Sequence, residues 1–167
     1  MKVYHGTNIK FDTPKILKPN RALDFGAGFY TTTDEEQAIS WAKMVVNRSQ
    51  KGVPLLNVYE FDADFSDKLQ IIRFENPTKE WLDFVCEHRL NIDLKDDCDL
   101  IIGPVANDTT IPTIQSYINA IETNPNSKDF FAEFAIRQLR TDKLKDQVVF
   151  KTEKSLQQLK LKEIMPL

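Results

Sequence analysis

Phe25-Gly26-Ala27-Gly28-Phe29-Tyr30-Thr31-Thr32-Thr33-Asp34-Glu35-Glu36 is the stretch on which the reading of this chain turns. Gly28 to Thr32 is aromatic and β-branched, which predicts a short strand. Thr33-x-x-Glu36 then fits a capping box, and the acidic run Asp34-Glu35-Glu36 suits the first turn of a helix. Ala38, Trp41, Ala42 and Val45 recur at helical spacing on one face and carry that helix to about Arg48. The two glycines make a turn into the strand. No third glycine follows at the dinucleotide spacing, so Gly26-x-Gly28 is not a Rossmann fingerprint. Alternation puts Phe29 and Tyr30 on opposite faces, one for the core and the other free to stack on a planar ligand. Either ring is also at home in an ordinary core.

Working outward, residues 2–5 read as a strand entering a turn at His5-Gly6-Thr7, and 8–25 as a long loop interrupted by Pro14, Pro19 and Asn20. Strands are expected at Leu55 to Phe61 and Leu69 to Phe74. Asn76-Pro77 supplies a cap and a first-turn proline for a helix bearing Trp81, Leu82, Val85 and Leu90. Leu100-Ile101-Ile102-Gly103 is a continuous apolar run, hence a buried strand, ended with the help of Pro104. Helices follow near 111–122 and 127–140 around the turn Asn124-Pro125-Asn126-Ser127. Gln147 to Phe150 is a strand, Ser155 to Leu159 a helical turn, and Leu159 to Ile164 a final alternating strand. This order gives an α+β class, with about six to eight short strands in a split-sheet or sandwich-like core and flanking helices.

The chain has 167 residues, 28% charged and 41% hydrophobic, which suits one domain over 1–167 with a core that needs no metal or disulfide staple. Cys86 and Cys98 have no metal-ligand spacing and are expected to be reduced thiols in a cytoplasmic protein. No apolar run reaches the roughly 20 residues that cross a bilayer, and the N-terminus lacks a signal-peptide pattern, so no membrane partner is expected. A net charge of −3 argues against general nucleic-acid binding. Glycine is scarce: five are present, where average usage predicts about 12.

His5 ends a strand immediately before Gly6. A strand histidine is commonly structural, but the missing side chain beside it lets a ligand approach the backbone N–H and C=O. Asn107 and Asp108 follow the buried strand and either line a site, with Asp108 as a base, or cap the helix near Ile111. Asp96-Asp97-x-Asp99 lacks the glycine and final glutamate of a calcium loop and reads as solvated charge. His88 is given no role, and no metal site is expected.

His5-Gly6-Thr7, then Phe25-Gly26-x-Gly28-Phe29-Tyr30 and a helix with small residues, resembles the ADP-ribosyltransferases of the diphtheria-toxin and poly(ADP-ribose)-polymerase branch, with their H-Y-E signature. The chain also resembles a family of small bacterial proteins of unknown function in that superfamily. The shared features are Tyr4-His5-Gly6-Thr7, Phe29-Tyr30-Thr31-Thr32, Trp41, Ile101-Ile102-Gly103-Pro104-Val105 and Asp146-Gln147. The resemblance implies an ADP-ribosyltransferase-like fold and NAD as a consumed substrate. Gly6 would pair with the nicotinamide carboxamide, His5 with the adenosine ribose, and Tyr30 with the nicotinamide ring. Thr31 or Thr32 would reach the nicotinamide ribose, and Thr7 and Gly28 would complete the two binding segments. Gln147 stands where the branch has its glutamate. An amide can bond a ribose hydroxyl but brings no negative charge, which implies single-unit transfer, hydrolysis of NAD, or a non-catalytic binding module. Asp146 is expected on the opposite face. The acceptor is left open between protein, nucleic acid and small molecule, and the resemblance implies the toxin of a toxin–antitoxin pair.

Overall fold

The computed structural model describes residues 1–61, 68–105, 110–139 and 144–167. In chain order the elements are β1 (Lys2–Thr7), β2 (Phe29–Thr31), α1 (Glu35–Ser49), β3 (Leu55–Phe61), β4 (Ile71–Arg73) and α2 (Lys79–Leu90). They continue with β5 (Leu100–Pro104), α3 (Ile111–Thr123), α4 (Lys128–Gln138), β6 (Asp146–Phe150), α5 (Glu153–Leu156) and β7 (Leu159–Pro166). The described strands form two sheets, ordered β1-β3-β7 and β2-β6-β5-β4. Every pairing is antiparallel except β4 with β5.

Strand alternation sorts the apolar residues into layers. Leu100, Ile102, Val148 and Phe150 meet Val3, Tyr59 and Phe61 between the two sheets, with Phe29 among them. Ile101 and Val149, one residue out of step, face the other way and pack under Trp81, Leu82 and Val85 of α2, Ile114 and Tyr117 of α3, and Ala132 and Ala135 of α4. On the outer face of the smaller sheet, Ala38 of α1 packs on Leu56 and Val58. The result is a helix–sheet–sheet–helix arrangement of the α+β class. Cys86 and Cys98 are free and buried, and burial pushes their thiols up to about 12 and about 11, so neither is a thiolate at neutral pH.

Several local expectations are corrected. His5-Gly6-Thr7 is not a turn, because β1 pairs with β3 as far as Thr7. The cap of α1 is Asp34, whose carboxylate accepts the Gln37 N–H at 2.7 Å, while the Thr33 hydroxyl is drawn away to Asp146 at 2.8 Å. A carboxylate adds charge at a helix N-terminus and so outcompetes a hydroxyl there. Thr78 rather than Asn76 caps α2. Trp41, expected on the buried face with Ala38 and Ala42, stands 39% exposed. Asp96 and Asp99 are not solvated charge: Asp96 is buried in an ion pair with Lys151 and lies against the His88 ring, and Asp99 is paired with Lys154.

Gly6 explains how closely α1 can lie on β1. A Cβ at this position would come within 2.0 Å of the Ala38 carbonyl oxygen and 2.9 Å of the Ala42 nitrogen, both backbone atoms that cannot swing aside. Gly6→Ala should therefore cost about 3 kcal/mol of folding stability, as overpacking of a rigid contact does. Urea denaturation measures it, and a loss under about 0.5 kcal/mol would mean that α1 does not rest on β1 as described.

Candidate active site

The two sheets meet edge to edge at one place. The Tyr4 N–H donates to the Thr32 carbonyl at 2.8 Å, and the Thr32 N–H donates to the Tyr4 carbonyl at 3.0 Å. Continued in the same antiparallel register, Gly6 would face Tyr30. The pairing stops, because the His5 ring reaches the Tyr30 carbonyl first, with Nδ1 at 2.7 Å. A carbonyl only accepts, so Nδ1 carries the proton and Nε2 is left as an acceptor. Backbone groups of alternate β1 residues point to alternate edges. Val3, His5 and Thr7 thus bond toward β3, whereas the N–H and C=O of Gly6 turn, like those of Tyr4, toward the gap. Neither Gly6 group has a backbone partner outside its own strand pairing among the described residues.

Over this gap lies a cleft of about 650 Å³, a volume in the range of small-molecule and cofactor sites. Its floor brings together Tyr4, His5, Gly6, Tyr30, Thr31, Thr32 and Gln147. One wall is a stripe of α1, Gln37, Trp41, Met44 and Arg48, at helical spacing over roughly 16 Å. The other is the segment Arg21 to Asp24 with Arg89 of α2. Among the described residues four cations line the cleft, Arg21, Arg48, Arg89 and Lys145, against the one carboxylate of Asp24. Arg89 is held by Asp24 and Lys145 by Asp34, whereas Arg21 lies over the Trp41 ring, 5.8 Å from its centroid. An acidic chain has thus collected positive charge where a ligand would sit.

Phe29 packs between the sheets and stacks on His5, with ring centroids 4.5 Å apart. Tyr30 turns to the cleft, as alternation requires. Its hydroxyl donates to the Gly26 carbonyl at 2.8 Å and accepts from the Phe25 N–H at 3.2 Å, which fixes the plane of the ring. Burial pushes the phenol well above its ordinary range, so Tyr30 offers a neutral ring face and no proton chemistry. Gln147 lines the cleft at 6% exposure, and its Nε2 is a buried donor with no partner among the described residues. Asp146 points away and is occupied by the Thr33 hydroxyl and N–H.

Not every residue expected at the site offers a free group there. The Thr31 hydroxyl is taken by the Val148 carbonyl at 2.8 Å, and Thr32 helps to start α1 by accepting the Asp34 N–H at 3.1 Å. Thr7 closes a local turn to Ile9 and Gly28 packs against Val149; neither lines the cleft. Asn107 and Asp108 lie outside the described residues. Arg21, Arg48, Arg89 and Lys145 were not foreseen. The α1 stripe carried a signal, since Gln37, Trp41, Met44 and Arg48 share one helical face, but the arginines from the loop and from α2 converge only in three dimensions.

The family model described as Protein of unknown function (DUF3990) matches residues 1–161. The chain belongs to this family. No curated protein and no solved structure matches it. Every cleft residue named above falls inside the DUF3990 match.

The half-buried His5 ring has a consequence for pH. Burial pushes its imidazole below the ordinary value, opposed in part by the bond to the Tyr30 carbonyl. Below about pH 6.5 the unfolded chain takes up a proton at His5 that the folded chain refuses until lower pH. The stability lost as pH falls through that window is at most about 1.4 kcal/mol per pH unit. His5→Gln should lack this component, so the gap in unfolding free energy between wild type and variant narrows from about pH 7.5 to about pH 5.5. A constant gap would mean that His5 is not buried.

Proposed function

We propose that the cleft binds NAD and that the chain is a mono-ADP-ribosyltransferase built on an ADP-ribosyltransferase-like core. The observation that carries this reading is the edge of β1 at Gly6, where one N–H and one C=O face a gap floored by the Tyr30 ring. A carboxamide presents one donor and one acceptor in one plane, so nicotinamide can bond both Gly6 groups while its ring stacks on Tyr30. The two sheets parting between β1 and β2 agree with the split core that the motifs imply.

The other parts of the cleft fit the rest of the dinucleotide. Its diphosphate carries negative charge and suits the lining of Arg21, Arg48, Arg89 and Lys145. His5 Nε2, an acceptor, suits a hydroxyl of the adenosine ribose. In the reaction the bond between the ribose C1′ and the nicotinamide ring nitrogen breaks, and its electron pair leaves with nicotinamide. The acceptor's lone pair then forms the new bond to C1′, and the proton it carried is released to solvent. The passing species is oxocarbenium-like, and dipoles fixed beforehand stabilise it without reorganising. The Gln147 amide supplies a hydrogen bond to the ribose and no charge, which favours transfer of a single unit over chain growth. In a cell, an enzyme of this kind fits the toxin of a toxin–antitoxin pair, held in check by a protein partner.

Incubation of the chain with labelled NAD and a cell lysate tests the proposal. Label on a macromolecule is the expected result. Free ADP-ribose would make the chain an NAD glycohydrolase, and bound but unconsumed NAD would make it a binding module, the reading that Gln147 itself favours. NAD neither bound nor consumed would overturn the proposal. Tyr30→Ala should lower turnover at least tenfold, about the loss expected for one stacked ring, and Tyr30→Phe should lower it less. Gln147→Glu should change the rate or the product; an unaltered enzyme would remove Gln147 from the site.

A further inference from the structure

Behind the cleft wall lies a set of buried charges that the proposed reaction does not use. The side chains of Lys151 and Asp96 are each 7% exposed, and that of His88 is 1% exposed. Lys151 Nζ lies 2.8 Å from an Asp96 oxygen, and His88 Nε2 lies 3.0 Å from the other. His88 Nδ1 meets the Phe84 carbonyl at 2.9 Å, so both ring nitrogens are anchored. Lys151 Nζ also donates to the carbonyl of Phe25, across to the glycine turn.

The turn is held at three successive residues, Asp24, Phe25 and Gly26. Asp24 accepts from Arg89 Nε at 2.8 Å and Nη2 at 2.5 Å. Phe25 accepts from Lys151 through its carbonyl and donates its N–H to the Tyr30 hydroxyl. Gly26 has φ +66°, and a Cβ there would lie 2.6 Å from His88 Cδ2; its carbonyl accepts from the Tyr30 hydroxyl. The peptide group that Lys151 holds, through the Phe25 carbonyl, lies between the two that bond the Tyr30 hydroxyl, through the Phe25 N–H and the Gly26 carbonyl. Ion pairs taken out of water seldom add net stability, because desolvation offsets the attraction. What such a pair does supply is a defined geometry. Here the geometry is that of the turn which sets the plane of the Tyr30 ring.

We propose that Lys151, through the Phe25 carbonyl and with Asp96 as its counter-charge, is a positioning residue for the Tyr30 ring in the cleft. Its meaning for catalysis rests on the reading of Tyr30 as the platform for nicotinamide, but the positional claim stands on its own contacts.

The test removes the charge pair without stranding either half, by combining Lys151→Met with Asp96→Asn. The readouts are the ring resonances of Tyr30 in tyrosine-labelled protein, assigned with Tyr30→Phe, and the affinities for nicotinamide and for ADP. A cooperative melt with the Tyr30 resonances shifted, nicotinamide affinity down about tenfold and ADP affinity within about twofold is expected, the tenfold loss being that of one misplaced stacking contact. Unshifted Tyr30 resonances in the folded variant would overturn the proposal. Should the double variant fail to fold, Lys151→Arg keeps the ion pair but moves the donors, and unshifted resonances there overturn it equally. If wild type binds neither probe while Tyr30 still shifts in the variant, the NAD reading fails and the positioning role of Lys151 is upheld.

Discussion

Two hydrogen bonds between Tyr4 and Thr32 hold the two sheets together at their edges, and just beyond them the strands part. The His5 ring occupies the place where the next backbone pair would form and satisfies the Tyr30 carbonyl. A buried carbonyl left without a partner would be costly. By meeting that need with a side chain, the fold ends the pairing there and leaves the N–H and C=O of Gly6 facing the gap. The cleft, its two walls and its pairing edge all follow from this parting. His5 thus both props the gap open and lines it.

Positive charge gathers at the same place. The chain carries three more acidic than basic groups, yet among the described residues four cations and one carboxylate line the cleft. The carboxylates nearby are committed elsewhere: Asp34 caps α1, with hydrogen bonds from Lys145 and Gln37 holding it below its usual range, and Asp146 is bound by Thr33. Deeper in, burial resists the ionisation of Asp96, but the hydrogen bonds from His88 and Lys151 prevail and keep its carboxyl below the usual range. The cleft therefore has cations in front, and behind it a wall in which Asp96 is tied to Lys151 and His88.

Much of the fold was legible because local rules decide it. Leu55–Phe61 and the buried run Leu100 to Gly103 are the strands that their apolar patterns require, and Phe29 and Tyr30 divide between core and cleft as alternation demands. The misreadings arose where a partner distant in sequence intervened. Thr33 lost its cap role to Asp34 because Asp146, 113 residues away, takes its hydroxyl. Asp96 looked solvated because Lys151 is far along the chain, and His88, though near in sequence, meets it only through the bend that follows α2. The scarcity of glycine has a broader cause than ligand approach. Gly6 and Gly28 sit where a Cβ would strike Ala38 and Val149, so internal packing already requires them. At Gly6 the same missing side chain serves both ends, admitting α1 on one face and leaving the strand edge open in the gap.

The most direct measurement is a crystal structure of the chain with NAD or nicotinamide bound. The account places the carboxamide within hydrogen-bond distance of both the Gly6 nitrogen and the Gly6 oxygen, with the ring against Tyr30 and the Gln147 amide on the ribose. Nicotinamide seated elsewhere, or a gap at Gly6 that stays free of ligand at saturating concentration, would contradict it.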